Sequence, residues 1–156
     1  MRIHLVAVGE RVPAWVEAGY REYEQRMPRE LELRLHTVAS PRLGRKVDPV
    51  SLRARECKAI LAKVPARSRI VALDERGEQW STRQVAERLE RWKGAGGDVA
   101  LLIGGASGFD ASVRDAAADV WSLSALTLPH ALVRVVVAEQ LYRAWSVLSG
   151  HPYHRE

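Results

Sequence analysis

The last six residues, HPYHRE at 151–156, bring two imidazoles, a phenol and a guanidinium into one short stretch. Such groups supply stacking, cationic hydrogen bonding and a proton acceptor that titrates near neutrality. Stacking and cationic hydrogen bonding are what a nucleobase and its phosphate need. Metal binding through His151 and His154 lacks a third ligand nearby, and a frayed terminus is the plain alternative. Two glycine- and serine-containing turns are the other places where chemistry can sit. IGGASG at 103–108 follows the apolar run VALL. Glycines at the carboxyl edge of a strand let a ligand approach the backbone, and open α/β sheets bind ligands at such edges. The pattern is neither GxGxxG nor a phosphate loop ending in GKS or GKT, so a purely structural turn stays open. LSALTLPH at 123–130 offers main-chain donors and acceptors, an apolar wall from Leu126 and Leu128, and no acidic side chain. That suits an adenosine read by its base and by main chain better than a triphosphate read through magnesium. A simple strand-to-helix connection would look the same.

Elements that position these groups alternate along the chain. IHLVAVG reads as a buried strand stopped by Gly9, and Pro13 opens a helix carrying Trp15, Val16, Tyr20 and Tyr23. LELRLHTVA alternates as a half-buried strand, and a basic helix is expected from about Val50 to Lys63. RIVALD is a third strand, followed by a helix capped by Ser81 or Thr82. VALLIGG is a central strand, and a short helix, ASVRDAAAD, comes after its turn. WSLSALTL is a fifth strand, and Pro129 starts a long terminal helix. This order predicts an α/β fold with a mainly parallel sheet and helices on both faces.

On the terminal helix, 131–148, Glu139, Gln140, Arg143 and Ser146 form a polar stripe about 120° wide. Glu139 and Arg143 stand at ion-pair spacing. The remaining surface is apolar, broken only by Arg134. One sheet face cannot cover so wide an arc, so the helix predicts a homodimer.

With 156 residues, 47% of them hydrophobic and 28% charged, the chain reads as one globular domain spanning 1–156. Disordered, collagenous and disulfide-scaffold classes are excluded. Cys57 is the only cysteine, set in an apolar helix, and is expected to be inert packing. The opening is too short for a secretory signal and no apolar run spans a membrane, which predicts a cytoplasmic protein without membrane or metal partners. The formal charge is +5. All of the excess lies in residues 40–66, where Arg42, Arg45, Lys46, Arg53, Arg55, Lys58 and Lys63 face only Asp48 and Glu56. A solvated helix face is the plain reading. A polyanion, with Arg45, Lys46, Arg53 and Lys58 on its phosphates, is the functional one.

HLVAVG at 4–9, LLIGG at 101–105, WSLSALTLPH at 121–130 and VRVVVAEQLYRAWSVLSGHPYHRE at 133–156 resemble the large-subunit rRNA pseudouridine N3-methyltransferases of the SPOUT superfamily. The likeness runs over essentially the whole chain. The turn Ala106-Ser107-Gly108 departs from it, where many relatives carry a proline or an acidic residue.

The resemblance implies a C-terminal trefoil knot over about 67–156 and an obligatory homodimer. It implies S-adenosylmethionine held by Leu73, Gly104, Gly105 and the run Leu123, Ser124, Ala125, Leu126, Thr127 and Leu128. The substrate would be a pseudouridine in the helix 69 stem-loop of 23S rRNA on assembled ribosomes. Methyl transfer to its N3 requires a base near neutral pKa and no metal, which favours His154. Arg143 and Arg155 would stabilise developing charge or hold a phosphate, and Tyr153 would stack on the base. Glu139 and His130 are alternative bases. An eighteen-residue helix is about 27 Å long, so the tail is expected to complete the partner's site in an antiparallel dimer. A non-catalytic ribosome-binding factor of the same fold and a nucleotide hydrolase are the competing readings. The intact SLSALTL run disfavours the first. The lack of a lysine or paired carboxylates at the glycine turn disfavours the second.

Overall fold

Strand β1 (Arg2–Val8) is buried on both sides, and its side chains divide between two cores. Ile3, Leu5 and Ala7 face one cluster, while Val6 and Val8 face the other. A strand covered on both faces belongs inside a parallel sheet. The computed structural model, which describes residues 1–40 and 48–155, places it there. The elements that follow are α1 (Ala14–Arg26), β2 (Glu32–Val38), α2 (Pro49–Lys63), β3 (Arg69–Gln79) and α3 (Thr82–Ala95). Then come β4 (Val99–Ile103), α4 (Ala111–Ala116), β5 (Asp119–Ser122), α5 (His130–Ser149) and a 3-10 turn at Pro152–His154. Strand order is β2-β1-β4-β3-β5, and every pairing is parallel.

Helices α1, α3 and α5 supply one core through Tyr20, Leu89 and Leu141. Helices α2 and α4 supply the other through Ile60 and Val113. The expected α/β sheet with helices on both faces is therefore present. Helix α3 starts on a capping box: the Ser81 side chain accepts from Gln84 N–H, and the Gln84 side chain accepts from Ser81 N–H. Among the described residues no helix is long and apolar enough to cross a membrane.

Two local readings change. The fifth strand comprises Asp119–Ser122, and residues 123–128 leave the sheet as a loop. Strand β3 runs past Leu73 to Gln79, with a shift of register against β5 between Leu73 and Glu78. Gly77 closes that excursion. A Cβ on it would lie 2.5 Å from the Val120 carbonyl oxygen, so only glycine lets β3 return to β5. The polar stripe on α5 is half-buried to fully buried. Ser146 is fully buried and donates to the Arg143 carbonyl, and Gln140 meets Thr82 of α3.

Candidate functional site

Because all five strands run the same way, their carboxyl ends share one edge, and a cleft of about 490 Å³ opens there over β3, β4 and β5. Leu73 to Arg76, bulged out at the register shift, form one wall. Gly104 to Phe109 form the second. Leu123, Ser124 and Leu126 to His130 form the third. The volume falls in the range of small-molecule and cofactor sites. Two side-chain hydrogen bonds shape the third wall: Ser122 Oγ donates to the Ser124 carbonyl, and Ser124 Oγ accepts from Leu126 N–H. Leu126 is 74% exposed and hangs over the opening.

The structure brings together every residue assigned to the cofactor except Ala125, which sits on the exposed outside of the loop. Arg53, grouped in the sequence with the phosphate-binding set, reaches from α2 into this cleft, with a buried Nε that has no partner among the described residues. Lys58 stays on the exposed side of α2. Arg45 and Lys46 lie outside the described residues. Cys57 is buried, which pushes its thiol pKa up and leaves it protonated.

A second cluster forms where α5 ends. Gly150, left-handed at φ 68°, terminates the helix and turns the tail back along it. Tyr153 then packs edge-on against Tyr142 with ring centres 4.7 Å apart. Its hydroxyl donates to Glu139 Oε1 at 3.1 Å and lies within hydrogen-bond distance of Tyr23 Oη at 3.3 Å. Arg143 binds the same Glu139 oxygen through Nη2 at 2.6 Å and stands over the Tyr153 ring at 5.0 Å. His154 is half-buried, with an Nδ1 that has no partner, and Arg155 is exposed. Among the described residues no group of three or more His, Cys, Asp or Glu side chains could hold a metal.

The electrostatics assign states to two of these groups. Burial, the Tyr23 hydroxyl and the Glu139 carboxylate hold the Tyr153 phenol well above its ordinary pKa, so at neutral pH it donates a proton. The hydrogen bond to Glu139 raises the Arg143 guanidinium. Glu139 Oε1 accepts from Arg143 and Tyr153, and Oε2 accepts from Gln140. Sequence reasoning missed Tyr23. Its place on the apolar side of α1 gave no sign that its hydroxyl would meet the tail.

Helix α5 separates the two clusters. Its twenty residues, at 1.5 Å each, span about 30 Å. His130 at its start lines the cleft, and Arg143 lies near its end. Within one chain the tail residues are not part of the cleft wall.

A parallel sheet with a main-chain-lined cleft at its carboxyl edge defines an α/β ligand-binding protein of the kind that holds a nucleoside between two loops. Residues 1–154 match a family described as "Predicted SPOUT methyltransferase". Similar sequences include proteins named Ribosomal RNA large subunit methyltransferase H from Hahella chejuensis and Nitrosococcus oceani. The first is 51% identical over 156 residues, all of both chains. The second is 51% identical over 155 residues, 99% of each. Among solved structures, a Legionella pneumophila protein assigned as a methyltransferase, with the cofactor SAM bound, superposes with a TM-score of 0.52 at 12% identity. The match covers 92% of this chain and 66% of that one. A methylase family protein of Haemophilus influenzae gives 0.53 at 16%, covering 97% and 67%. The chain belongs to the SPOUT methyltransferase family.

Proposed function

We propose that this protein is an S-adenosylmethionine-dependent methyltransferase of large-subunit ribosomal RNA, acting on N3 of a pseudouridine in the helix 69 stem-loop of assembled ribosomes. The observation that carries the reading is an intact cofactor-sized cleft in a chain 51% identical, end to end, to a protein named as a large-subunit ribosomal RNA methyltransferase. The cleft fits the cofactor in kind. Glycine backbone and the 123–128 main chain suit an adenosine, and Leu126 and Leu128 give an apolar wall.

The cofactor supplies an electrophilic methyl group on a positively charged sulfur, so the protein's task is positioning and removal of one proton. His154 is assigned as the base that takes the N3 proton. Arg143 and Arg155 balance the negative charge left on the base ring, and Tyr153 donates to it or stacks on it. The 30 Å of α5 between cleft and tail supports a site shared across an antiparallel homodimer, with 1–156 as a single domain knotted over about 67–156. Half-buried apolar residues such as Val135 and Val136, with Trp15 61% and Leu148 40% exposed, support a partner on α1 and α5. The setting is cytoplasmic. Calorimetry is the first test: S-adenosylmethionine should bind and ATP should not, and purified large subunits should accept a labelled methyl group. Binding of ATP alone would defeat the reading. Ribosome binding with no methyl transfer would favour a non-catalytic factor.

The position of Arg53 separates two roles within the basic segment. Changing Arg45, Lys46 and Lys58 together to alanine should weaken RNA binding with unchanged cofactor affinity. Each phosphate left without its cation should lower the logarithmic salt slope by roughly 0.7 to 0.9. Arg53→Ala should instead weaken the cofactor several-fold and barely move the salt slope. If Arg53→Ala leaves cofactor binding intact, the guanidinium serves RNA after all.

A further inference from the structure

Glu56 is a buried carboxylate that the chemistry above does not use. It is 3% exposed, on α2 one helical turn beyond Arg53. Its Oε1 accepts a hydrogen bond from Ser40 Oγ at 2.7 Å, and its Oε2 is buried without a partner among the described residues. No Lys, Arg or His among the described residues forms an ion pair with it. The carboxylate presses against Gly105. A Cβ there would come within 2.5 Å of Oε2 and 3.0 Å of Oε1. Gly105 has an ordinary negative φ, so the glycine serves space and not conformation. A charge withdrawn from water and left unpaired is costly. Here it stands directly behind one residue of the cleft wall, with only glycine backbone between it and the cleft.

S-adenosylmethionine and its product S-adenosylhomocysteine share the adenosine, ribose and amino-acid parts. They differ by a methyl group and by the positive charge on sulfur, which is lost when the C–S bonding pair stays behind. We propose that Glu56 sets the preference of the cleft for the charged cofactor over its neutral product, acting through space across Gly105. This rests on the reading of the cleft as the S-adenosylmethionine site. Asp74 and Glu75 line the same cleft but contribute less. Glu75 is exposed, and Asp74 is half-buried and already accepts from Arg76 N–H. Solvent and counterions screen both. Glu56 is more deeply buried than either.

The test compares calorimetric affinities of the full-length protein for the two ligands at one pH and salt. The ratio of the product's Kd to the cofactor's Kd should fall about three- to tenfold in Glu56→Gln, the scale expected of opposite charges several ångströms apart in a partly buried setting. The product's own Kd should stay nearly constant. Glu56→Met, which needs no hydrogen-bond partner, should give the same drop and serves if the glutamine variant does not fold. Glu56→Asp should recover most of the ratio. Equal weakening of both ligands would make Glu56 a mere support of the turn and overturn the proposal, as would an unchanged ratio. If the native protein binds neither ligand, the reading of the cleft fails and takes this inference with it. Binding with an unchanged ratio sinks this inference alone.

Discussion

Removing residues 153–156 should reduce methyl transfer to ribosomal RNA at least roughly a hundredfold, the lower range for loss of a proton-transfer group. Dimerisation and S-adenosylmethionine affinity should stay near native. Tyr153 packs on Tyr142 and closes the hydrogen-bonded cluster of Tyr23, Glu139 and Arg143, so the tail is built in place. It nonetheless lies at the far end of α5 from the cleft. The sharper experiment mixes two inactive proteins, the truncated form and Gly104→Trp. A Cβ at Gly104 already meets Phe109 Cε1 at 3.2 Å, so an indole there must fill the cleft. Heterodimers should regain one working site from the intact cleft of one chain and the intact tail of the other. No recovery in heterodimers shown to form would mean that the tail serves its own chain or has no catalytic part.

Arg134→Met should destabilise the protein by about 2–4 kcal/mol, read from urea unfolding at constant protein concentration. Arg134 is 1% exposed and lies on the apolar arc of α5. Its Nη2 donates to the Val8 carbonyl at 2.8 Å and the Gly9 carbonyl at 2.5 Å, tying the helix to the end of β1. Burial pulls its pKa below the usual guanidinium range, the mark of a charge held at a cost. Methionine fills similar volume but leaves both carbonyls without this donor. A loss under about 0.5 kcal/mol would show that water or backbone shifts replace the guanidinium.

Periodicity and turn chemistry carried the strands and helices well, because β1 and β4 are continuous apolar runs and α3 announces itself through Ser81 and Gln84. The same signals overextended β5. Trp121, Leu123 and Thr127 favour a strand, but the side chains of Ser122 and Ser124 bond local backbone and draw the chain out of the ladder. The helical wheel of α5 separated polar from apolar residues correctly but could not show what each meets. Its stripe is covered by the tail, and Arg134 answers strand carbonyls that only tertiary structure brings near. Charge counting found the basic segment, yet it could not show that Arg53 turns into the cleft while Lys58 faces solvent. In the sequence Glu56 is only an acid offsetting nearby bases. Its role depends on Gly105, far away along the chain.

The bond from Arg134 to Val8 also orders events during synthesis. These partners are 126 positions apart, and every strand pairing is non-local, a topology that folds slowly. A chain emerging from its N-terminus cannot cover the end of β1 until residue 134 has cleared the exit tunnel. A nascent chain stalled after residue 128 should therefore stay sensitive to protease across α1, and the released protein should not. Equal resistance in both would show that the N-terminal half closes without α5. Otherwise the sheet stays unfinished until α5 has emerged to close it.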